Sequence, residues 1–228
     1  MAEPVPLTIR RDWARPDAKM LAAFKAAPTG FVVDAIGRAG ALDHRIRPVW
    51  KGPHFVGSAL PVWTTARDNL APYAAISFAK PGDVMLIATG AYEGAAVIGD
   101  VVVGMMRNAG IVAAVTDGLV RDVQGIAEVG IPVYARGLTP NSPFKHGPGT
   151  IGLPIAIGGQ AVEPGDLVVG DGDGVVIVPR WRLAEAAAEL AAIREKESGM
   201  DALVRSGATA PSWLAARLTG DGVRYVDE

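Results

Sequence analysis

An unbroken apolar run, Ile111 to Val115, sits between two segments with helical patterning, Asp100 to Ala109 and Val123 to Val129. A strand that is apolar at every position has no solvent face, so other layers must cover both of its sides. Gly110 closes the first helical segment, and Ile131 to Ala135 supplies a further apolar run after the second. Helix and strand therefore alternate through the middle of the chain, which predicts an α/β layer rather than a helical bundle. The 28 glycines and 17 prolines fit this reading, because they call for many turns and short elements.

Composition removes several classes of function. Half of the 228 residues are apolar and 20% are charged, enough to build a substantial core without disulfides. Cysteine is absent, which excludes thiolate nucleophiles, Cys-ligated zinc and iron–sulfur clusters. The net charge is −2, no long basic run appears, and the stretch Arg45 to Lys51 is short and interrupted by Pro48, so no nucleic-acid surface is expected. The first residues lack an apolar segment of signal-peptide length, and the apolar stretch from Ile98 to Val115 is broken by Asp100, Arg107 and Asn108. A soluble cytoplasmic protein without a membrane span is the expectation.

Along the chain, helices are predicted over Asp17–Ala27, Phe31–Ala39 and Leu70–Ala79, and strands over Val56–Thr65, Val84–Ile87, Ile151–Ile157 and Val175–Val178. The phrase Pro-Gly-Asp occurs twice, at Pro81–Asp83 and Pro164–Asp166, each time before an apolar strand. Proline presets φ, glycine permits the turn and aspartate can cap it. Asp171-Gly172-Asp173-Gly174 lacks the terminal glutamate of a calcium loop and reads as a tight turn between two strands. Arg180 to Glu197 is rich in Ala, Leu, Glu and Arg and should form a long helix. The whole chain, 1–228, is read as one domain with a helical tail from about residue 180.

The chemistry-bearing residues concentrate between Gly90 and Asp122. Gly90, Gly94 and Gly99 precede the helix that starts at Asp100, and the first amides of a helix favour an anion. Val101 and Val102 would offer such amides to a carboxylate; a plain strand-to-helix turn would carry the same glycines. Arg121-Asp122 follows Thr116-Asp117-Gly118 at the end of the buried run. An arginine there can hold a carboxylate or a developing enolate oxygen, and an aspartate can bind a hard divalent cation. A helix-capping aspartate beside a surface arginine would look the same, and Arg67-Asp68 shows how little the dipeptide says alone. His44, His54 and His146 are scattered without zinc-site spacing. There is no G-x-S-x-G elbow and no dinucleotide fingerprint.

Four ordered blocks carry a resemblance. GAYEGAAVIGDVV, TDGLVRD, IPVYARGLTPNSPFKHGPG and EPGDLVVGDGDGVVIVP are similar, in this order, to the RraA-like family, over roughly Phe31 to Glu197. That family includes 4-hydroxy-4-methyl-2-oxoglutarate / 4-carboxy-4-hydroxy-2-oxoadipate aldolases and the ribonuclease E regulator RraA. The resemblance implies an α/β fold of the layered β/β/α swivelling type with a C-terminal helical extension. It also implies homotrimers or homohexamers with sites at subunit interfaces. It implies Asp122 as a ligand of Mg²⁺ or Mn²⁺, partly through waters, and Arg121 as the group on the keto oxygen of pyruvate. Gly99, Asp100 and the amides of Val101 and Val102 would surround the pyruvate carboxylate, with Asp100 steering a water in proton transfer. Asp34 falls where the aldolases place an acid near the rest of the substrate, and Glu197 would reach a neighbour's site. One departure bears on the pocket beyond the pyruvate end: Gly90-Ala91 and Ile98-Gly99 stand where the family often has Gly-Gly and Trp-Gly.

The expected activity is a class II, metal-dependent pyruvate aldolase acting on a small 4-hydroxy-2-keto acid, with oxaloacetate decarboxylation through the same enolate. The alternative is a non-catalytic regulator that binds a ribonuclease E-type protein.

Overall fold

The apolar runs become the middle strands of a mixed sheet in the computed structural model, which describes residues 6–220 and 222–226. The elements begin with β1 (Leu7–Ile9), α1 (Ala18–Ala23), α2 (Thr29–Ala35), β2 (Arg47–Pro48), β3 (Phe55–Thr64), α3 (Leu70–Ala75) and β4 (Asp83–Ala88). The middle of the chain supplies β5 (Ala96–Ile98), α4 (Asp100–Asn108), β6 (Ala113–Thr116), β7 (Leu119–Val120), α5 (Val123–Val129), β8 (Val133–Ala135) and β9 (Gly137–Leu138). Then come β10 (Gly149–Ile151), β11 (Ile155–Ile157), β12 (Gln160–Val162), β13 (Leu167–Asp171), β14 (Gly174–Val178), α6 (Leu183–Arg205) and α7 (Leu214–Leu218).

The largest sheet runs β1-β10-β3-β4-β6-β8-β2, with β13 pairing with β3 and carrying β14. Its centre, β3-β4-β6-β8, is parallel. All six residues of β4 are buried, and alternate side chains enter two different cores. Met85 and Ile87 join Ala71 and Ala75 of α3, Val102, Val103 and Met106 of α4, and Ile126 of α5. Val84, Leu86 and Ala88 join Ile155, Ile157 and Val162 of the β11–β12 hairpin, with Val175 and Ile177 of β14. Helices thus cover one face and β-hairpins the other, the layered β/β/α arrangement that a two-sided apolar strand demands.

The two Pro-Gly-Asp turns are built alike. Asp83 accepts from the Lys80 amide at 2.8 Å and Asp166 from the Glu163 amide at 2.8 Å, while Gly82 and Gly165 take φ of 92° and 87°. Asp83 is fully buried and also takes two hydrogen bonds from Arg15, Nε at 2.7 Å and Nη2 at 2.8 Å.

Several expectations need correction. The second helix starts at Thr29, not Phe31, because the Thr29 amide and hydroxyl both donate to the Asp171 carboxylate at 2.8 Å, and it ends at Ala35. The single strand expected over Ile151–Ile157 is two strands, β10 and β11, parted by Gly152 at a φ of 68° and followed by Pro154. The long helix runs on to Arg205. The chain divides into two compact units, Met1–Leu190 and Ala191–Glu228. The first holds the sheets and the opening of α6, and the second holds the rest of α6 and α7. Among the described residues, no helix is long and apolar enough to cross a membrane.

Removing the cation from a buried ion pair leaves an uncompensated charge. Arg15→Ala should therefore lower the unfolding free energy by about 3–5 kcal/mol, read by denaturant titration. A change under about 1 kcal/mol would mean that the Asp83 carboxylate finds other compensation.

Candidate active site

Three very short strands form a parallel sheet of their own, β5-β7-β9. Because they are parallel, their carboxyl ends lie on one side, and each leads directly into a functional segment. β5 ends at Ile98 and passes through Gly99 into α4; β7 ends at Val120 and passes into Arg121-Asp122 and α5; β9 leads to Ser142 and Lys145. The Ile98 carbonyl accepts from the Arg121 amide at 3.2 Å, which sets the arginine beside the start of α4. Ligand sites of open α/β sheets lie outside the carboxyl ends of strands. Here that edge belongs to β5, β7 and β9 rather than to the buried run expected to carry it.

The cleft at this edge is lined by Gly99, Asp100, Val101, Val102, Arg121 and Asp122 from the near side, and by Asn69, Tyr73, Ser142 and Lys145 from the far side. Its volume is about 90 Å³, room for a small organic acid. A larger apolar groove lies elsewhere, beside α1, but its walls are mostly aliphatic and it gathers no comparable polar set.

Arg121 Nε lies 3.1 Å from Asp122 Oδ2, and Arg121 Nη1 donates to the Ser142 hydroxyl at 2.7 Å. Both side chains of the pair are partly open, at 40% and 43% exposure, so they keep contact with the cleft. Gly99 makes the arrangement possible through space, not through φ, which is an ordinary −141°. A Cβ on Gly99 would stand 2.5 Å from Asp122 Oδ2 and 3.1 Å from Arg121 Cγ. Gly125 does the same for Asp100: a Cβ there would meet Asp100 Oδ2 at 2.5 Å. α5 thereby packs closely on Asp100, the first residue of α4.

The nine-residue α4 has orphan amides at its start. Asp100 Oδ1 already accepts the Val101 amide at 2.7 Å. The Val102 amide has no carbonyl within the helix to reach, since Ile98 lies outside it and accepts from Arg121. Arg121, Asp122, Asp100, Gly99, Val101 and Val102 are thus brought together in one chain. Asp34 lies elsewhere, on α2, 56% exposed and 4.0 Å from Arg38. Glu197 belongs to the other compact unit. Gly90 and Gly94 do not line the cleft. Gly90 and Ala91 turn the chain at φ of 69° and 57°, and the Asp117 carboxylate fixes that turn by accepting from the Thr89 and Ala91 amides at 2.7 and 3.0 Å.

Among the described residues, no group of three His, Asp or Glu side chains is set to enclose a metal ion. Two carboxylates, Asp100 and Asp122, nevertheless border the same cleft. That fits Mg²⁺ or Mn²⁺, hard cations of which the smaller is commonly held by one or two carboxylates with waters and substrate completing the shell. It does not fit zinc in a closed protein cage.

Asn69, Tyr73, Ser142 and Lys145 were not anticipated. Asn69 precedes a helix and reads as an ordinary cap, yet its side chain makes no capping bond. The second Arg-Asp pair is what holds this wall. Buried Asp68 accepts from the Leu70 and His146 amides at 2.9 and 2.6 Å, and Phe144 bonds back to Arg67 and Asn69. Lys145 Nζ sits 5.7 Å from the centre of the Tyr73 ring, a second cation beside the cleft.

A family model described as RraA-like, Aldolase/RraA, matches residues 29–177. A candidate 4-hydroxy-4-methyl-2-oxoglutarate aldolase of Halalkalibacterium halodurans is 38% identical over 157 residues, 69% of this chain and 75% of that one. The fold is similar to that of an uncharacterized protein of Pseudomonas syringae pv. tomato, with a TM-score of 0.77 at 25% identity over 86% and 97% of the two chains. It is also similar to Streptomyces coelicolor RraAS2, described as an unusual member of the RNase ES inhibitor RraA family, with a TM-score of 0.76 at 25% identity over 83% and 99%.

Gly99→Ala should fold normally, because its φ suits alanine, but should push the Arg121–Asp122 pair off the helix start. In a crystal structure of the variant both side chains should stand displaced from residue 99, while the melting temperature barely moves. Side chains left in place would show that the close approach at Gly99 does not set the position of the pair.

Proposed function

The chain belongs to the RraA-like family, and on that premise we propose that it is a divalent-metal-dependent carbon–carbon lyase cleaving a 4-hydroxy-2-keto acid to pyruvate and a second carbonyl compound. The observation that carries this reading is the Arg121–Asp122 pair packed on Gly99 at the start of α4, with Asp100 on the same cleft.

In this reading the substrate carboxylate meets the first turn of α4, where the Val102 amide and the helix dipole favour an anion. Arg121 donates to the 2-keto oxygen and stabilises the negative charge that gathers there as C3–C4 breaks. Asp122, with Asp100 on the same cleft, would supply oxygen ligands for Mg²⁺ or Mn²⁺. When bound, the cation contributes Lewis-acid stabilisation of the same developing charge. The C4 hydroxyl loses its proton to a water held near Asp100 or to a group near Asp34, the C3–C4 electrons pass into the enolate, and a proton returns to C3 to release pyruvate. Asp100 is suited to relay that proton, because the Val101 amide and Gly125 hold its carboxylate at the cleft. Asp34 and Glu197 would take part from a neighbouring copy in a trimer or hexamer. Lys145 offers a cation to the substrate's distal carboxylate. Oxaloacetate decarboxylation passes through the same enolate and is an expected activity.

A regulator of ribonuclease E type is the second reading, supported by the likeness to RraAS2. It does not account for an arginine and two carboxylates gathered in one cleft, which a binding surface does not need.

Purified protein with Mg²⁺ should release pyruvate from oxaloacetate and from a 4-hydroxy-2-keto diacid, and EDTA should abolish the release. Arg121→Ala and Asp122→Ala should each lower kcat by at least about tenfold. Full turnover in both variants would sink the mechanism. Absence of any lyase activity, with capture of a ribonuclease instead, would establish the second reading.

A further inference from the structure

An arginine side chain is long and rotates freely unless something holds its far end. The Arg121 amide is fixed on Ile98, but that bond places the backbone and not the guanidinium. The ion pair with Asp122, 3.1 Å from Nε, joins two neighbours on one stretch of chain. Among the described residues the guanidinium makes one hydrogen bond, and it comes from outside that stretch: Nη1 donates to the Ser142 hydroxyl at 2.7 Å. Ser142 is itself placed from both sides. Before it, Asn141 Nδ2 donates to the Gly94 carbonyl at 3.1 Å, and the Asn141 carbonyl accepts from the Ala96 amide at 2.9 Å. After it, the Phe144 amide donates to the Arg67 carbonyl at 2.7 Å, and the Phe144 carbonyl accepts from the Asn69 amide at 3.0 Å. The hydroxyl is thus a fixed acceptor that ties the two walls of the cleft together. A guanidinium has five N–H donors. With Nε beside Asp122 and one Nη1 hydrogen on Ser142, the second Nη1 hydrogen and both on Nη2 stay unpaired among the described residues.

We propose that Ser142 is a positioning residue, whose hydroxyl holds the Arg121 guanidinium in place across the cleft; its effect on turnover rests on the lyase reading. Donors stabilise a developing oxyanion well only when they are in position before the charge appears. Without the Ser142 hydroxyl the guanidinium is free to leave its place, and the unpaired N–H groups leave with it. The charge on the 2-keto oxygen is largest in the enolate, so the loss falls on kcat more than on KM. The substrate carboxylate still meets the start of α4. Ser142 is exposed, and an exposed bond of this kind adds little to stability. Its removal therefore moves the arginine without unsettling the fold.

Two variants separate the hydroxyl from the shape of the loop. Ser142→Ala removes the acceptor, and Ser142→Thr keeps it; the residue before a proline, here Pro143, is biased to extended backbone, which threonine takes readily. Both are assayed on oxaloacetate with Mg²⁺, and crystal structures of both are solved. In Ser142→Ala, kcat should fall by about 5- to 50-fold while KM stays within about twofold of wild type. The Arg121 guanidinium should be displaced, and the melting temperature should hardly change. Ser142→Thr should return kcat to within about threefold of wild type and the guanidinium to its place. A Ser142→Ala enzyme within about twofold of wild-type kcat would overturn the proposal. Equal losses in the two variants would do the same, since the loop and not the hydroxyl would then be responsible. So would a guanidinium that keeps its position in Ser142→Ala, whatever the rates. Wild-type protein that releases no pyruvate would remove the lyase reading, and the position of Arg121 in the Ser142→Ala crystal would still uphold or overturn the role of Ser142.

Discussion

Three strands of two or three residues each, running the same way, decide where chemistry can occur in this protein. Their pairing brings the starts of α4 and α5 and the approach to Lys145 to one edge. The absence of a Cβ at Gly99 then lets Arg121 and Asp122 close over the helix start. Neither half suffices. Without the pairing the arginine has no fixed place beside Ile98, and with a side chain at residue 99 the pair is displaced from the orphan amides it accompanies.

Much of this was legible in the residues. The continuous apolar run announced a two-sided strand, and the alternation around it announced the layers. α5 falls on Val123–Val129 as its spacing indicates, and the Asp-Gly-Asp-Gly turn does join two strands. Family resemblance placed Arg121, Asp122 and Asp100 in one site, and the geometry brings these three to one cleft. The parts that stayed hidden share a physical cause. β5, β7 and β9 are too short to show any period. Asn69 and Lys145 reach the cleft through contacts between segments some seventy-five residues apart, carried by Asp68 and Phe144, and no local pattern encodes such contacts. Gly90 and Gly94 drew attention as a possible anion loop, whereas the buried Asp117 carboxylate shapes the Gly90-Ala91 turn for packing.

Exposure sorts the aspartates by task. Asp68, Asp83, Asp117 and Asp166 are 6% exposed or less, and each gives its carboxylate to nearby backbone amides. A buried carboxylate needs those donors to offset its lost hydration. Asp122 is 43% exposed and satisfied on one side only, by Arg121. A carboxylate left partly open beside a fixed cation is free to accept a ligand without first losing a structural bond.

Asp122 itself has a backbone in the left-handed region, with φ 58° and ψ 43°, just before α5. Among residues with a side chain, aspartate and asparagine enter that region most readily, while branched or longer ones resist it. The main chain thus narrows the vocabulary at this position. Glutamate would carry the same charge but fit the backbone poorly, asparagine would fit it but forfeit the charge, and glycine would relax it and lose the ligand altogether. Sequence drift at residue 122 is therefore screened twice, once by conformation and once by chemistry, and aspartate is the residue that passes both.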